Sequence, residues 1–129
     1  MIDLTVMLEN VPGRLADLGE ALGRNDINME GLCGFPIKDG SFLMHILVED
    51  ATKTRNILKK AGFQIHSERE VIVLTGRPGR NVLLEAGTGG KIARKISSVG
   101  VNIDLMYFAG LNRLIIGVDD IEKAKAALG

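Results

Sequence analysis

The sequence contains two copies of one pattern in the same order, and this repeat limits the chain to folds built from two similar units. Residues 27–30 read INME and residues 101–104 read VNID, 74 positions further on. Residues 48–53 read VEDATK and residues 118–123 read VDDIEK, 70 positions further on. Segments that recur in the same order along a chain are typical of repeated structural units.

We therefore predict two domains, one covering residues 1–69 and the other covering residues 70–129. Each is small, because the whole chain has 129 residues. Hydrophobic residues make up 46% of the chain and charged residues 25%, which is typical of a globular protein rather than a disordered one.

Charge and composition argue against several classes of partner. Sixteen basic residues offset sixteen acidic ones, whereas nucleic-acid-binding domains carry a basic excess, so we expect no nucleic-acid partner. No apolar run approaches the roughly 18 residues of a membrane span, and the first residues lack the basic segment of a signal peptide. We therefore expect a cytoplasmic protein without a membrane partner. Cys33 is the single cysteine, so an intrachain disulfide is impossible.

The opening of the first unit reads as a strand followed by a turn. Residues 3–9 alternate polar and apolar side chains, as a half-buried strand does. Asn10, Pro12 and Gly13 then interrupt this alternation. Asn10 is predicted to cap the helix that follows, and Pro12 suits its first turn, where a missing N–H group is tolerated.

The rest of the first unit continues the order βαββαβ. Leu15, Leu18 and Leu22 form one apolar stripe of a helix that ends near residues 23–26. The remaining elements are strands at 27–35, 41–49 and 63–69 and a second helix, capped by Asp50, ended by Gly62 and facing inward with Ile57, Leu58 and Ala61. This order predicts an α+β ferredoxin-like unit, in which two helices cover one face of an antiparallel sheet.

The second unit is less regular, because its last strand is missing. Residues 71–75 (VIVLT) and 81–85 (NVLLE) flank a turn-like segment, and two interpretations follow. In the first, they form a hairpin and residues 71–75 take the place of the missing fourth strand, as in a permuted unit. In the second, residues 71–75 are the first strand and residues 80–87 are an insertion. The equal spacings from Gly13 to Asn28 and from Gly87 to Asn102 favour the hairpin. The other predicted elements are a helix at 91–100, strands at 101–108 and 112–118, and a last helix from 121.

These motifs resemble a known family. LENVPGRLADLGEALGRNDINMEG (8–31) resembles the opening of the ACT domain, in which a strand, an Asn-x-Pro-Gly turn, a helix and an Asn-Ile strand follow one another. GGKIARKISSVGVNIDLMY (89–107) resembles the helix and second strand of the same domain. Together the two copies resemble small stand-alone proteins made of two ACT domains.

The resemblance implies a regulatory protein without catalytic activity, whose ligand, most often an amino acid, lies between ACT domains paired side by side. It also implies a regulated metabolic enzyme or regulator as partner. We expect a homodimer, because small sheets with open edges tend to associate. A carboxylate suits the unpaired N–H groups at a helix start. Carried onto this sequence, the ligand-binding residues are Asn10, Val11, Pro12, Gly13, Leu15, Asn28, Met29 and Asn102.

Structural explanations compete with this site. Asn10 and Asn28 each have an ordinary use, the first as a helix cap and the second at a strand start. The second unit has no asparagine at its turn, so we expect a poor site there, with Asn102 completing a site made with another domain. The alternative function is an interaction subunit whose ligand pocket is vestigial.

No residues suggest a cofactor, a metal or a catalytic centre. His45 and His66 lack metal-ligand spacing, and Cys33 is the only other soft ligand, which we expect to be an inert thiol within a strand. No nucleophile stands beside a base, and the acidic residues at helix starts are explained by capping.

Overall fold

The computed structural model of the chain describes residues 1–77, 79, 82–110 and 112–129. The chain divides into two compact units, Met1–Arg69 and Glu70–Gly129. Both units are α+β, with strand–helix repeats and antiparallel sheets, as the sequence predicted. No helix in the described ranges is both long and apolar enough to cross a bilayer.

The first unit contains a four-stranded sheet and two helices. Its strand order is β2-β3-β1-β4, and β3 pairs antiparallel with both β1 and β2. This is the order of a ferredoxin-like sheet, which confirms the predicted fold class. The elements are β1 (Ile2–Glu9), α1 (Arg14–Arg24), β2 (Gly31–Pro36), β3 (Ser41–Val48), α2 (Ala51–Lys60) and β4 (Gln64–Glu70), with a short 3-10 turn at Lys38–Gly40 before β3.

One apolar core lies between this sheet and the two helices. From α1 it takes Leu18, Ala21 and Leu22, which lie three to four residues apart. Leu15 was predicted to belong to the same stripe, and that prediction is wrong because its side chain is 50% exposed. The other buried members are Leu4, Val6, Leu8, Met44, Ile46, Val48, Ala51, Leu58 and Phe63.

The start of α2 is as predicted, but its inward face differs. Asp50 is the N-cap, and its Oδ1 accepts a hydrogen bond from the Lys53 N–H at 3.0 Å. Leu58 is buried and Ile57 is half-buried, whereas Ala61 is exposed because it is the C-cap residue rather than part of the helix. The buried residues of the helix are Ala51, Thr54 and Leu58.

The second unit contains a three-stranded sheet, two helices and a short 3-10 turn. Its strand order is β5-β7-β6, and both pairings are antiparallel. Its core consists of buried Ile72, Ile96, Val101, Leu114, Ile116, Val118 and Ala124. The elements are β5 (Ile72–Thr75), a 3-10 turn (Val82–Leu84), α3 (Thr88–Ser97), β6 (Ile103–Ala109), β7 (Arg113–Val118) and α4 (Ile121–Leu128).

The hairpin predicted for residues 71–75 and 81–85 is wrong. β5 pairs with β7 as β1 pairs with β3, so it is the first strand of the unit, which was the second interpretation. Residues 82–84 form a 3-10 turn rather than a strand, and residue 81 lies outside the described residues. The spacing argument failed because it matched Gly87 with Gly13, which are both helix N-caps, but carried no information about strand pairing. The helix predicted at 91–100 is α3, which starts and ends three residues earlier, at Thr88 and Ser97.

The two units share their local helix-start geometry. Asp120 caps α4 as Asp50 caps α2, with its Oδ1 accepting from the Lys123 N–H at 3.0 Å. Gly13 and Gly87 precede α1 and α3 as N-cap residues, and both have φ +88°. A left-handed conformation of this kind is accessible to glycine without steric cost. The repeat seen in the sequence therefore encodes equivalent turns.

Candidate functional site

The turn between β1 and α1 is built by the backbone. The Asn10 N–H donates to the Gly40 carbonyl at 2.9 Å, and the Val11 N–H donates to the Glu9 carbonyl at 2.9 Å. Gly13 is the N-cap of α1 and the helix begins at Arg14, so Asn10 is not the cap and Pro12 lies outside the first helical turn. Both predictions were wrong because the left-handed Gly13 ends the turn three residues after Asn10.

This turn presents hydrogen-bond donors beside apolar surface. The first bond of α1 runs from the Asp17 N–H to the Gly13 carbonyl at 2.9 Å. The N–H groups of Leu15 and Ala16 therefore have no acceptor within the helix, whose start also carries partial positive charge. Val11 is 53% exposed and Leu15 is 50% exposed. The turn can thus offer donors to a carboxylate and apolar contact to an aliphatic group.

Asn28 and Met29 lie between α1 and β2, because β2 begins only at Gly31. The strand predicted from residue 27 therefore starts later than expected. Asn28 is exposed, and its Nδ2 donates to Glu30 Oε1 at 3.0 Å. Met29 is half-buried and packs against the core of the first unit, which gives it a structural role.

The pocket beside Asn28 is small and acidic. Its volume is about 210 Å³. Four carboxylates and one ammonium group lie among its lining residues, together with apolar Ile27 and Val48. None of the turn residues 10–13 contributes to it. The charged lining residues are Asp26, Glu30, Glu49, Asp50 and Lys53.

A second pocket lies where β1 ends, and it identifies Arg14 as a residue that the sequence reasoning missed. The pocket has a volume of about 190 Å³ and is lined by residues of β1, α1, β3 and β4 and by Gly62. The Arg14 guanidinium carbon lies 4.1 Å from the centroid of the Phe63 ring, and Nη1 is 3.5 Å from Asp17 Oδ2. A cation held over an aromatic face is stabilised electrostatically. The available signal was a basic residue directly after the Pro-Gly turn.

Asn102 occupies the equivalent position in the second unit. Its backbone N–H donates to Asp119 Oδ1 at 3.0 Å, and its carbonyl accepts from the Asp119 N–H at 3.2 Å. These two bonds hold the start of β6 next to the end of β7. Asn102 is exposed and lines a pocket of about 420 Å³ between α3 and β6.

Strands β2 and β6 lie at the ends of their sheets and expose large apolar side chains. In the first unit these are Leu32 and Phe35 on β2 and Ile37 just after it. In the second unit they are Met106 and Phe108 on β6. An edge strand has backbone N–H and C=O groups available for pairing with another strand.

A buried polar cluster in the first sheet was not anticipated. Asp3 and Thr5 on β1 are buried, and His45 lies on the neighbouring β3. His45 Nδ1 is 2.9 Å from Asp3 Oδ1, and the Thr5 hydroxyl donates to the same oxygen at 3.3 Å. Asp and Thr at alternate positions of β1 were the only sequence signal. Within the described part of the chain, no three His, Cys, Asp or Glu residues are placed to bind a metal.

A concavity of about 930 Å³ on the surface of α2 is not a good binding site. Every residue that lines it belongs to α2 or is its cap, Asp50. No second element encloses the space, so a ligand would lie on open surface.

Many solved structures are similar to this chain, among them the following three. A crystal structure of protein BT0572 from Bacteroides thetaiotaomicron matches with a TM-score of 0.81 and 27% identity over 98% of this chain and 85% of that one. The ligand-free regulatory subunit of aspartate kinase from Thermus thermophilus has a TM-score of 0.74 at 18% identity, over 98% of this chain and 87% of that one. Aspartokinase III from E. coli in complex with lysine and aspartate has a TM-score of 0.56 at 16% identity, over 98% of this chain and 29% of that one.

The similarity lies in structure rather than in sequence. No protein-family model matches the chain, and no curated protein sequence matches it either. At identities below 20%, the likeness to the two aspartate kinase structures shows the fold alone. The chain therefore shares its fold with these structures.

Proposed function

We propose that this protein is a non-catalytic regulatory protein of the tandem ACT type, with residues 1–69 and 70–129 as its two ACT domains. It binds a small ligand, an amino acid, and acts in the cytoplasm as a homodimer on a metabolic enzyme or regulator. The kinship in fold with a structure described as the regulatory subunit of aspartate kinase supports a regulatory role.

The observation that carries the proposal is the exposed turn between β1 and α1. The N–H groups of Leu15 and Ala16 are available to a ligand carboxylate, and the exposed Val11 and Leu15 side chains lie beside them. One such contact is worth only about 0.3–1 kcal/mol at an exposed helix start. A useful affinity therefore requires a second set of ligand contacts, a second wall of the site. We assign this wall to Asn28 and the β2 edge of another copy of the chain.

Edge pairing between copies would supply that wall. The exposed Leu32 and Phe35 on β2 make pairing with another β2 edge favourable, because apolar surface and unpaired backbone groups are buried together. Asn28 directly precedes β2 and presents an amide that can donate or accept, which suits the ammonium and carboxylate groups of a zwitterion.

Calorimetric titration with each of the twenty amino acids tests the function. We expect at least one to bind saturably, and Asn10→Ala or Leu15→Ala to weaken it. Asn56→Ala is the matched control, because Asn56 is exposed on α2, away from the turn. The proposal is contradicted if none of the twenty amino acids binds. It is also contradicted if Asn10→Ala and Asn56→Ala weaken amino acid binding equally.

Sedimentation equilibrium tests the assembly. We expect a dimer that Leu32→Lys dissociates, because a charge on an edge strand opposes strand pairing. A monomer at every protein concentration contradicts it.

The second candidate is an interaction subunit with a vestigial pocket. The exposed Phe108 and Met106 on β6 favour it, because such surface also suits a protein partner. Stable capture of a partner without ligand, together with no response to any amino acid, would favour this function over the first.

A further inference from the structure

The pockets beside the two repeated asparagines differ in charge. The lining of the pocket at Asn28 includes four carboxylates and one ammonium group. The lining of the pocket at Asn102 includes one guanidinium group, that of Arg94, and no carboxylate. Ligands of different charge therefore suit the two positions, although they occupy matching places in the repeat.

The pocket at Asn102 combines polar donors with apolar walls. Its volume is about 420 Å³, enough for a small organic molecule. Arg94 and Ser97 come from α3, and Asn102 stands at the start of β6. The remaining lining residues are small or apolar, namely Gly90, Ala93, Val101 and Ile103.

Two donors in this pocket are available to a ligand. Within the described ranges, neither the Arg94 guanidinium nor the Asn102 side-chain amide takes part in a hydrogen bond or an ion pair. The Ser97 hydroxyl is already used, because it donates to the Arg94 carbonyl at 3.1 Å. Residue 20, which is 74 positions before Arg94, is Glu20, so the positive charge is particular to the second unit.

The pocket lies near the C-terminus of α3, and the partial negative charge of a helix C-terminus would repel an anionic ligand. Several of the last carbonyls of α3 are bonded. The Arg94 carbonyl accepts from the Ser98 N–H at 3.0 Å, and the Ser97 carbonyl accepts from the Gly100 N–H at 2.9 Å. The full charge of Arg94 therefore outweighs the residual dipole.

We propose that this pocket binds a small aliphatic carboxylate. The planar guanidinium of Arg94 matches both oxygens of a carboxylate, and the Asn102 amide donates a further hydrogen bond. Ala93, Val101 and Ile103 contact the aliphatic part. No lining residue carries a carboxylate, and the neighbouring Asp119 carboxylate already accepts a hydrogen bond from the Asn102 backbone N–H at 3.0 Å. The pocket therefore favours an organic acid without an amino group, and it is distinct from the amino acid site at the β1–α1 turn.

An NMR titration of the ¹⁵N-labelled full chain tests this proposal. The probe is sodium isobutyrate, and its matched neutral and cationic analogues are isobutyramide and isobutylamine. We expect saturable shifts of amide signals in residues 90–97 and 101–103 with isobutyrate alone. Arg94→Gln should raise the dissociation constant about tenfold or more, because a charge-assisted hydrogen bond is lost. Lys95→Gln, which removes an equal charge from the next residue of α3 outside the pocket, should leave the constant unchanged.

Four results overturn the proposal: no saturable shift with isobutyrate, equal response to isobutylamine, equal weakening by the two variants, or equal affinity for inorganic phosphate. Circular dichroism checks that both variants remain folded. Failure of the amino acid site leaves this test intact, because Asn10→Ala should weaken amino acid binding without changing the response to isobutyrate.

Discussion

Phe42 on β3 lies directly over Gly34 on the neighbouring strand β2. A Cβ atom built on Gly34 would lie 2.5 Å from Phe42 Cε1 and 2.7 Å from Met44 Sδ. Because Gly34 has no side chain, the Phe42 ring packs directly against the backbone of the edge strand β2. In the second unit the position 74 residues after Gly34 is Phe108, which is 52% exposed. The two edges have therefore diverged in shape.

Replacing Gly34 with alanine should destabilise the first unit. The new methyl group would displace the Phe42 ring or the Met44 side chain from a packed core, at a cost of about 1–3 kcal/mol. Urea unfolding measures the change. Gly19→Ala is the control, because nothing lies within 4 Å of its Cβ position and alanine favours helix α1, so that variant should be slightly more stable. Equal stability of Gly34→Ala and the wild type would contradict the packing.

The two aspartate caps should contribute equally to stability. Asp50→Ala and Asp120→Ala each remove an acceptor 3.0 Å from a helix N–H group, which typically costs about 1 kcal/mol. Asp50→Asn and Asp120→Asn retain the acceptor and should lose much less. Thermal unfolding of the four variants measures this. A loss in the asparagine variants as large as that in the alanine variants would mean that charge rather than capping is responsible.

Leu18 and Leu15 lie on the same helix but should behave differently. Leu18 is fully buried, so Leu18→Ala should lower the free energy of unfolding by about 2–5 kcal/mol. Leu15 is half exposed, so Leu15→Ala should change it by less than about 0.5 kcal/mol while weakening ligand binding at the turn. Chemical denaturation of both variants tests the contrast. A large loss of stability in Leu15→Ala would place that side chain in the core.

A hydrogen bond to Glu70 raises the pKa of Lys125 above its ordinary value of 10.5, against a smaller lowering by desolvation. The Lys125 Nζ lies 3.0 Å from Glu70 Oε1. Because the folded-state pKa is raised, the stabilisation is complete below pH 10.5 and is lost as the pH rises through the higher folded-state value. The contribution is small, since both side chains are exposed and screened by solvent.

An NMR titration of the Lys125 side chain measures this shift. Glu70→Gln should lower the pKa of Lys125 towards 10.5, whereas Glu122→Gln should have a smaller effect, because Glu122 acts only through its charge. An unchanged pKa of Lys125 in Glu70→Gln would show that the ion pair does not persist in solution.

Features set by near neighbours in the chain were predictable. Asp50 was identified as a cap because the side chain and the Lys53 N–H that it binds are three residues apart. Leu18 and Leu22 were identified as core for a similar reason, since helical spacing places them on one face. The predicted α+β fold followed from the order of such elements.

The candidate site was predictable only in outline. Val11, Gly13 and Leu15 do form an exposed turn at a helix start. Asn10 was misread as its cap because Gly13, which has no side chain, takes that place through a left-handed backbone that residue type alone does not reveal. Arg14 was missed because its partner, Phe63, is distant in sequence.

The sequence by itself determined the starts of α2 and α4 and the buried pair Leu18 and Leu22, because each depends on residues within about one helical turn. It also determined the two-fold repeat, which is visible as recurring segments. The tertiary structure alone decided that β5 pairs with β7, that Leu15 faces outward, and that Asp3, Thr5 and His45 meet in one sheet. Strand pairing depends on which segments compete for one sheet edge after the chain has folded back on itself. A local pattern of polar and apolar residues is compatible with several outcomes of that competition, and long-range packing selects one of them.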